Sequence, residues 1–421
     1  MKISPARTAA FDILLRIERE KSYSSVLLPT YEDNLAAADR ALCHELVLGS
    51  LRRQILLDRE IDVLTGNKKL DIEVRVAIRL GLYQLRLLTK VPQYSALNES
   101  VHLVQRAKKT SAKSLVNAVL RKASREKVEL TFTDEIERIS VEQSHPRWLI
   151  EKWANAIGIE QAEKLAAANN TPPPTAFRII GEPTDDVALL LKASRRSEFV
   201  DGCYIWSGGP LRSVSIYIQD EASQMTALAV SVPSGGKFLD VCAAPGGKTG
   251  LIAQRAGTGL VVAGEIHSHR VKFLQENCRK QGVKASVIQY NAEISMPFAD
   301  ETFDAVLIDA PCTGTGTIRH NPEIRYFIES NDFVDLQAKQ LCILQNASKL
   351  LKKGGLLVYS TCSIEREENE DVCGQFIKDN QDFQKNNPNV PRRFITDEGF
   401  ARTWPQRDFM DGFFIAAFLR Q

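Results

Sequence analysis

Apolar and polar positions change their spacing twice along the 421-residue chain. Residues 1–128 hold only three of the 24 glycines (Gly49, Gly66, Gly81) and three of the 17 prolines (Pro5, Pro29, Pro92). Few breakers and a long 3.6-residue period predict helices. "DRALCHELVLGSLRRQILLDREI" and "DIEVRVAIRLGLYQLRLL" each read as one helix. In the second, Arg75, Arg79 and Arg86 share one face, which is either an RNA-facing stripe or the wet side of a bundle helix. From about 129 the pattern loosens. "SHPRWLIEKWANAIGIEQAEKLAAANN" predicts two short helices, stopped by "TPPP", and "TAFRII" and "CYIWSG" predict strands. We read 129–215 as a small α+β module. From 216 to 421 strand and helix alternate. Strands are expected at "KFLDVCAA", "GLVVAGEI", "ASVIQYNA", "FDAVLIDA" and "GGLLVYST". Helices are expected at "HRVKFLQENCRKQG" and "LQAKQLCILQNASKLLKK". Alternation of this kind makes a mostly parallel sheet with helices on both faces, a Rossmann-like α/β domain. Near-continuous apolar strands fit burial on both sides. The expected fold class is multidomain: helical, then α+β, then α/β.

Composition narrows the class. With 44% hydrophobic and 25% charged residues and no run of about 18 apolar residues, a soluble protein without a membrane span is expected. The N-terminal stretch "MKISPARTAAFDILLRIEREK" is charged throughout and is not a signal peptide. Eight cysteines without a CxxC pair exclude a zinc ribbon and a disulfide framework, so no metal and a cytoplasmic location are expected. The net charge of +2 conceals an asymmetry: residues 1–128 carry 23 Lys+Arg against 14 Asp+Glu. That excess points to a polyanionic partner or to a solvated helical surface.

Candidate chemistry lies at the carboxyl ends of the expected strands, where such sheets bind ligands. "DVCAAPGGKTG" puts Gly246 and Gly247 in a turn that opens a helix with unsatisfied amides. It is neither a Walker motif nor GxGxxG, so a nucleotide-like cofactor and a bare tight turn both remain open. The second strand ends at Glu265, which could hold the two hydroxyls of a ribose or simply face solvent. The fourth strand ends in "DAPC" (Asp309 to Cys312) and the fifth in "TCS" (Thr361 to Ser363). Single cysteines after strands are usually small buried hydrophobes. Two of them at a ligand-bearing edge suggest a nucleophile, if positive charge lowers a thiol pKa. Lys248 and Arg319 are the candidate sources.

These motifs carry a resemblance. "DVCAAPGGKT", "DAPCTGTGTIRHNPEIRYF", "YSTCSIEREENE" and "DGFFIAAF" resemble, in order, the motifs of the RNA cytosine-C5 methyltransferase family. "SIYIQDEASQMTA" is similar to the segment that precedes the family's cofactor motif, and "HPRWLIEKW…NNTPPP" to its small preceding module. "DRALCHELVLGSLRR" and "SLVNAVLRK" resemble the helical domain of the antitermination protein NusB. The layout implies a NusB-like RNA-binding domain (1–128), a linker module (129–215) and a methyltransferase domain (216–421). It is similar to the branch that methylates a cytosine in small-subunit ribosomal RNA.

The resemblance implies S-adenosylmethionine as cofactor, held by Cys242, Ala243, Ala244, Pro245, Gly246, Gly247 and Lys248, with Glu265 on the ribose. Arg270 matches a recurrent arginine. Asn291 stands where the family usually has an aspartate beside the adenine, so a charge is missing there. Cys362 would attack C6 of the cytosine, Cys312 would help release the product, and Asp309 would hold the base at its N3/N4 edge. The partner implied is RNA, ribosomal first, with transfer RNA as the alternative substrate and a monomer as the expected state. A DNA cytosine methyltransferase attacks with its Pro-Cys thiol and would not need Cys362. A non-catalytic RNA-binding or antitermination factor would need neither thiol nor Asp309.

Overall fold

The computed structural model describes residues 3–421 apart from 209, 210, 212, 214 and 258. The chain forms two compact units, one of residues 1–172 with 318–327, the other of 173–317 with 328–421. Among the described residues no helix is long and apolar enough to cross a membrane.

The first unit is helical. α1 (Pro5–Glu20), α2 (Ser24–Glu32), α3 (Ala37–Arg52), α4 (Gln54–Thr65), α5 (Ile72–Leu87), α6 (Gln93–Arg106) and α7 (Lys113–Arg125) are followed by α8 (Glu135–Glu142), α9 (Arg147–Ile157) and α10 (Ile159–Asn169). α1, α3, α5 and α7 share one core that includes Phe11, Leu46, Ile78 and Leu120. Two readings of the sequence change here. The helix expected across residues 39–61 breaks at Arg53, whose backbone leaves the helical region (φ −117°, ψ 16°). The Leu56 amide instead finds the Ser144 hydroxyl at 3.1 Å, a capping acceptor supplied by a distant segment. The arginine face of α5 is taken up by ion pairs and is at most half-exposed. Arg79 is 1% exposed and pairs with Glu18 and with Asp58 at 2.8 Å, Arg75 pairs with Asp62 at 2.8 Å, and Arg86 with Glu60 at 3.1 Å. Burial works to lower the Arg79 pKa, but the charges of Asp58 and Glu18 outweigh it and raise it.

The second unit begins with a four-stranded antiparallel sheet, β1 (Thr175–Ile179), β2 (Arg195–Arg196), β3 (Cys203–Trp206) and β4 (Ile216–Ile218), in the order β2-β3-β1-β4, with α11 (Asp185–Lys192) between its first strands. α12 (Glu221–Leu228) follows, its first turn capped by the Asp220 carboxylate accepting from the Ala222 amide. The alternating region then runs β5 (Lys237–Asp240), α13 (Gly247–Ala256), β6 (Leu260–Glu265), α14 (Ser268–Lys280), β7 (Ser286–Gln289), β8 (Phe303–Asp309), α15 (Ile324–Phe327, in the first unit), α16 (Asp332–Ser348), β9 (Leu351–Thr361), α17 (Glu370–Asp379), β10 (Phe383–Asn386), β11 (Ala401–Arg402), α18 (Pro405–Asp408) and β12 (Phe414–Arg420).

The main sheet has the order β10-β12-β9-β8-β5-β6-β7. Its β5 to β9 pairings are parallel, and β12 is inserted antiparallel beside β9. Period-two alternation divides its side chains between two cores. Val306, Ile308 and Tyr359 pack with Ile343 of α16 and Phe376 of α17 on one face; Ala305, Leu307 and Val358 pack with Met225 of α12 and Ile252 of α13 on the other. Strand order reverses between β5 and β8, and in open sheets a ligand crevice forms outside the strand ends at that point.

Candidate active site

The loop after β5 is shaped by its glycines. Gly246 adopts φ +99°, and a Cβ there would lie 2.8 Å from the Leu274 side chain. Buried Arg178 on β1 donates to the Gly247 carbonyl at 3.2 Å, and Gln281 donates to that of Gly246 at 3.1 Å. Burial lowers the Arg178 pKa to about 10. Behind the loop, the buried carboxyl of Asp240 accepts from the Thr249 hydroxyl at 2.6 Å. Burial first, then the charge of Asp309, pushes the Asp240 pKa up to about 7 against the pull of Thr249.

Glu265, at the end of β6, is 4% exposed. It accepts from the His267 amide at 2.9 Å and pairs with Arg270 at 3.4 Å. Arg270 also donates to the Ala244 carbonyl at 3.0 Å, joining the acidic strand end to the glycine loop. Beyond β7, Asn291 accepts from the Glu293 amide at 2.9 Å.

At the end of β8, Asp309 is held by two donors: Lys248 Nζ at 2.6 Å and Ser360 Oγ at 2.8 Å. Lys248 also lies 5.0 Å from the centroid of the Phe413 ring. Burial opposes the charge on Lys248, but Asp309, then Cys362 and Asp240, outweigh it and raise its pKa. The two thiols face each other, with Cys312 Sγ and Cys362 Sγ 3.3 Å apart. The hydrogen bond shared with Cys362, burial and nearby negative charge together raise the Cys312 pKa well above the ordinary thiol value. Cys312 therefore keeps its proton at neutral pH.

One cavity of about 320 Å³ is lined by Cys242, Ala244, Glu265, Arg270, Asn291 and Asp309 together with both thiols. A larger open groove of about 690 Å³, walled by residues such as Gln337 and Gln375, contains none of these groups. Five expected cofactor residues do not line the cavity. Ala243 packs against Leu274 and Cys278, Pro245 and the two glycines shape the loop, and Lys248 acts through Asp309. Arg319 belongs to the first unit, where it is buried and its carbonyl accepts from Arg52 at 2.9 Å. It is not among the cavity residues. Sequence reasoning passed over Glu293 and Lys339, an ion pair at 3.0 Å on the cavity wall. It also passed over Ser360, which the adjacent "TCS" motif had already placed at the right strand end.

The cavity suits a cationic nucleoside. Its wall carries three carboxylates, Glu265, Glu293 and Asp309, against two cations, Arg270 and Lys339, an excess of acceptors that can meet a sulfonium and an ammonium. Glu265 has lone pairs beyond the one given to His267 for a pair of ribose hydroxyls. S-Adenosylmethionine has these features.

The 16S rRNA methyltransferase RsmB/F family matches residues 227–419, the NusB family matches 4–125, and the ferredoxin-like domain of RsmF/B-like methyltransferases matches 145–183. The class is that of the S-adenosylmethionine-dependent RNA cytosine-C5 methyltransferases. A probable ribosomal RNA small subunit methyltransferase B of Bacillus subtilis (strain 168) is 33% identical over 99% of both chains. A ribosomal RNA small subunit methyltransferase B of Salmonella typhi is 32% identical over 98% of both. The crystal structure of PH0851 superposes with a TM-score of 0.85, 25% identity and full coverage of both chains. The chain belongs to the family of 16S rRNA methyltransferases B.

Proposed function

We propose that the chain methylates C5 of a 16S ribosomal RNA cytosine through a covalent bond between Cys362 and C6. The observation that carries this reading is the pair of thiols 3.3 Å apart, set in one cavity with Glu265 and Asp309. C5 of cytosine is a weak nucleophile. Addition of the Cys362 thiolate at C6 places electron density on C5, splitting one difficult step into easier ones. Bound S-adenosylmethionine supplies the methyl group that C5 receives. Glu265 would hold the ribose and Asn291 the adenine, with Cys242 and Ala244 on the cavity wall and the rest of the loop to Lys248 shaping it. Asp309, kept in place by Lys248 and Ser360, binds the N3/N4 edge of a base taken out of its stack. Loss of the C5 proton and cleavage of the C6–Sγ bond then return the Cys362 thiolate, with Cys312 assisting release.

In this reading residues 1–128 bind RNA, 129–215 link, and 216–421 catalyse. The protein acts as a cytoplasmic monomer. The RNA-facing surface is the outer face of α7 rather than α5. α7 contains Lys113, Arg121, Lys122 and Arg125 and no acidic residue. Those side chains form no ion pair among the described residues, whereas the α5 arginines are neutralised. Small Ser114 and Ala118 lie between the charges and allow a phosphate backbone to approach. Bisulfite sequencing of ribosomal and transfer RNA from a deletion strain tests the reading. Loss of one 16S cytosine signal is expected; loss only in transfer RNA, or no change in either, would overturn it.

A further inference from the structure

The two thiol loops meet at a residue for which the mechanism above has no use. Glu368 is fully buried. Its carboxylate accepts the Thr313 amide at 2.8 Å, the Thr313 hydroxyl at 2.5 Å, the Ser363 hydroxyl, and Gln340 Nε2 at 3.1 Å. Thr313 follows Cys312 directly, and Ser363 follows Cys362 directly. A single side chain therefore holds the residue next to each thiol. Further bonds tighten the same junction: the Gly316 amide donates to the Cys362 carbonyl at 2.9 Å, and Asn369 Nδ2 donates to the Ser363 carbonyl at 2.9 Å. A buried carboxylate is costly unless its lone pairs are filled. All four donors here come from the two loops and from α16, which braces them. A packing role alone would be met more cheaply by an apolar side chain.

We propose that Glu368 is a positioning residue for methyl transfer, a clamp that sets the separation and relative orientation of the Cys312 and Cys362 thiols. The proposal rests on the roles given above to those two thiols. Displacing a reacting group by about 1 Å can cost on the order of 100-fold in rate, so loosening the clamp should fall on the chemical step. The Glu368 charge is also one of the groups that hold the Cys312 thiol protonated.

The test uses the full-length protein and the variants Glu368→Ala and Glu368→Gln, each first shown to be folded by its melting curve. Phenylarsine oxide, which bridges two adjacent thiols, reports their separation without any turnover. The wild type should bind it tightly, and Cys312→Ala or Cys362→Ala should abolish that binding. Glu368→Ala should weaken it at least about tenfold and lower kcat about 100-fold, with KM for RNA little changed. Glu368→Gln keeps an acceptor for the Thr313 amide and should keep most of the arsenical binding. With its charge gone, iodoacetamide should alkylate Cys312 at lower pH than in the wild type. Unchanged arsenical affinity and kcat in a folded Glu368→Ala would overturn the proposal. So would an unshifted Cys312 alkylation profile in Glu368→Gln together with full arsenical binding in Glu368→Ala. If arsenical binding depends on Glu368 while both cysteine variants still methylate RNA, the clamp stands and the proposed thiol roles fail.

Discussion

Two carboxyls beside the glycine loop stand in different surroundings. Glu265 is paired with Arg270 and bonded to a backbone amide, so it can present a charged acceptor to a ribose. Hydrogen bonds to charged groups are worth about 1.5–3 kcal/mol, and Glu265→Ala should weaken S-adenosylmethionine binding correspondingly, by roughly tenfold or more. Titration calorimetry on the folded variant checks this, and unchanged affinity would remove Glu265 from the cofactor site. Asp240 lacks a cationic partner that offsets its burial, and its pKa rises to about 7. In the folded chain it binds its proton more tightly than in the unfolded chain. Its stabilising contribution is therefore complete below about pH 4 and lost as pH rises towards 7. A shift of this size corresponds to on the order of 4 kcal/mol. Asp240→Asn has no such titration, so the wild type should lose stability relative to the variant between pH 4 and 7. Denaturant midpoints of both proteins across that range measure it; curves that stay parallel would contradict the assignment.

At the scale of elements, α5 shows what periodicity can and cannot tell. The sequence places Arg75, Arg79 and Arg86 on one face, and they are on one face. Which side of the helix that face occupies depends on Glu18, Asp58, Asp62 and Glu60, residues on other helices that no local pattern reveals. Arg79→Ala would leave Glu18 without its cation and Asp58 with only the longer Arg75 contact at 3.8 Å, and should destabilise the first unit by about 3 kcal/mol. RNA affinity of the remaining folded protein should be unchanged. Normal stability with weakened RNA binding would return the stripe to the RNA-facing side. The strands of the main sheet were legible because burial on both faces leaves almost no polar interruption, as in "FDAVLIDA". The strand-end motifs were legible because the chemistry needs them together. The break at Arg53 was not legible, since its capping hydroxyl comes from Ser144. Glu368 was visible only as a letter in "EREENE"; its partners Thr313, Gln340 and Ser363 lie 55, 28 and 5 residues away.

For the whole molecule, the basic excess of the N-terminal third is the feature whose reading the structure refines most. Much of that charge is spent inside the bundle, and the four cations of α7 are among those that form no ion pair among the described residues. Replacing Lys113, Arg121, Lys122 and Arg125 by glutamine should weaken RNA binding and flatten its salt dependence. Each phosphate that is no longer neutralised should reduce the slope of log K against log salt by about 0.7–0.9. Equal slopes for wild type and variant, measured by fluorescence anisotropy, would show that this face does not meet RNA. Substitution is a cleaner test than deleting residues 1–128. Deletion would also remove Ser24, Leu51 and Arg52, which bond Glu323, Tyr326 and the Arg319 carbonyl within the first unit.

The central claim is that Cys362 attacks and Cys312 releases, and a denaturing gel tests it most directly. Each cysteine-to-alanine variant is incubated with substrate RNA and S-adenosylmethionine, then separated under conditions that preserve only covalent bonds. Cys362→Ala should give no protein–RNA adduct, because C6 meets no thiolate. Cys312→Ala should attack and transfer the methyl group, then accumulate as an adduct because elimination is impaired. An adduct from Cys362→Ala with none from Cys312→Ala would reverse the two roles, and activity retained in both without any adduct would reduce the thiols to packing residues.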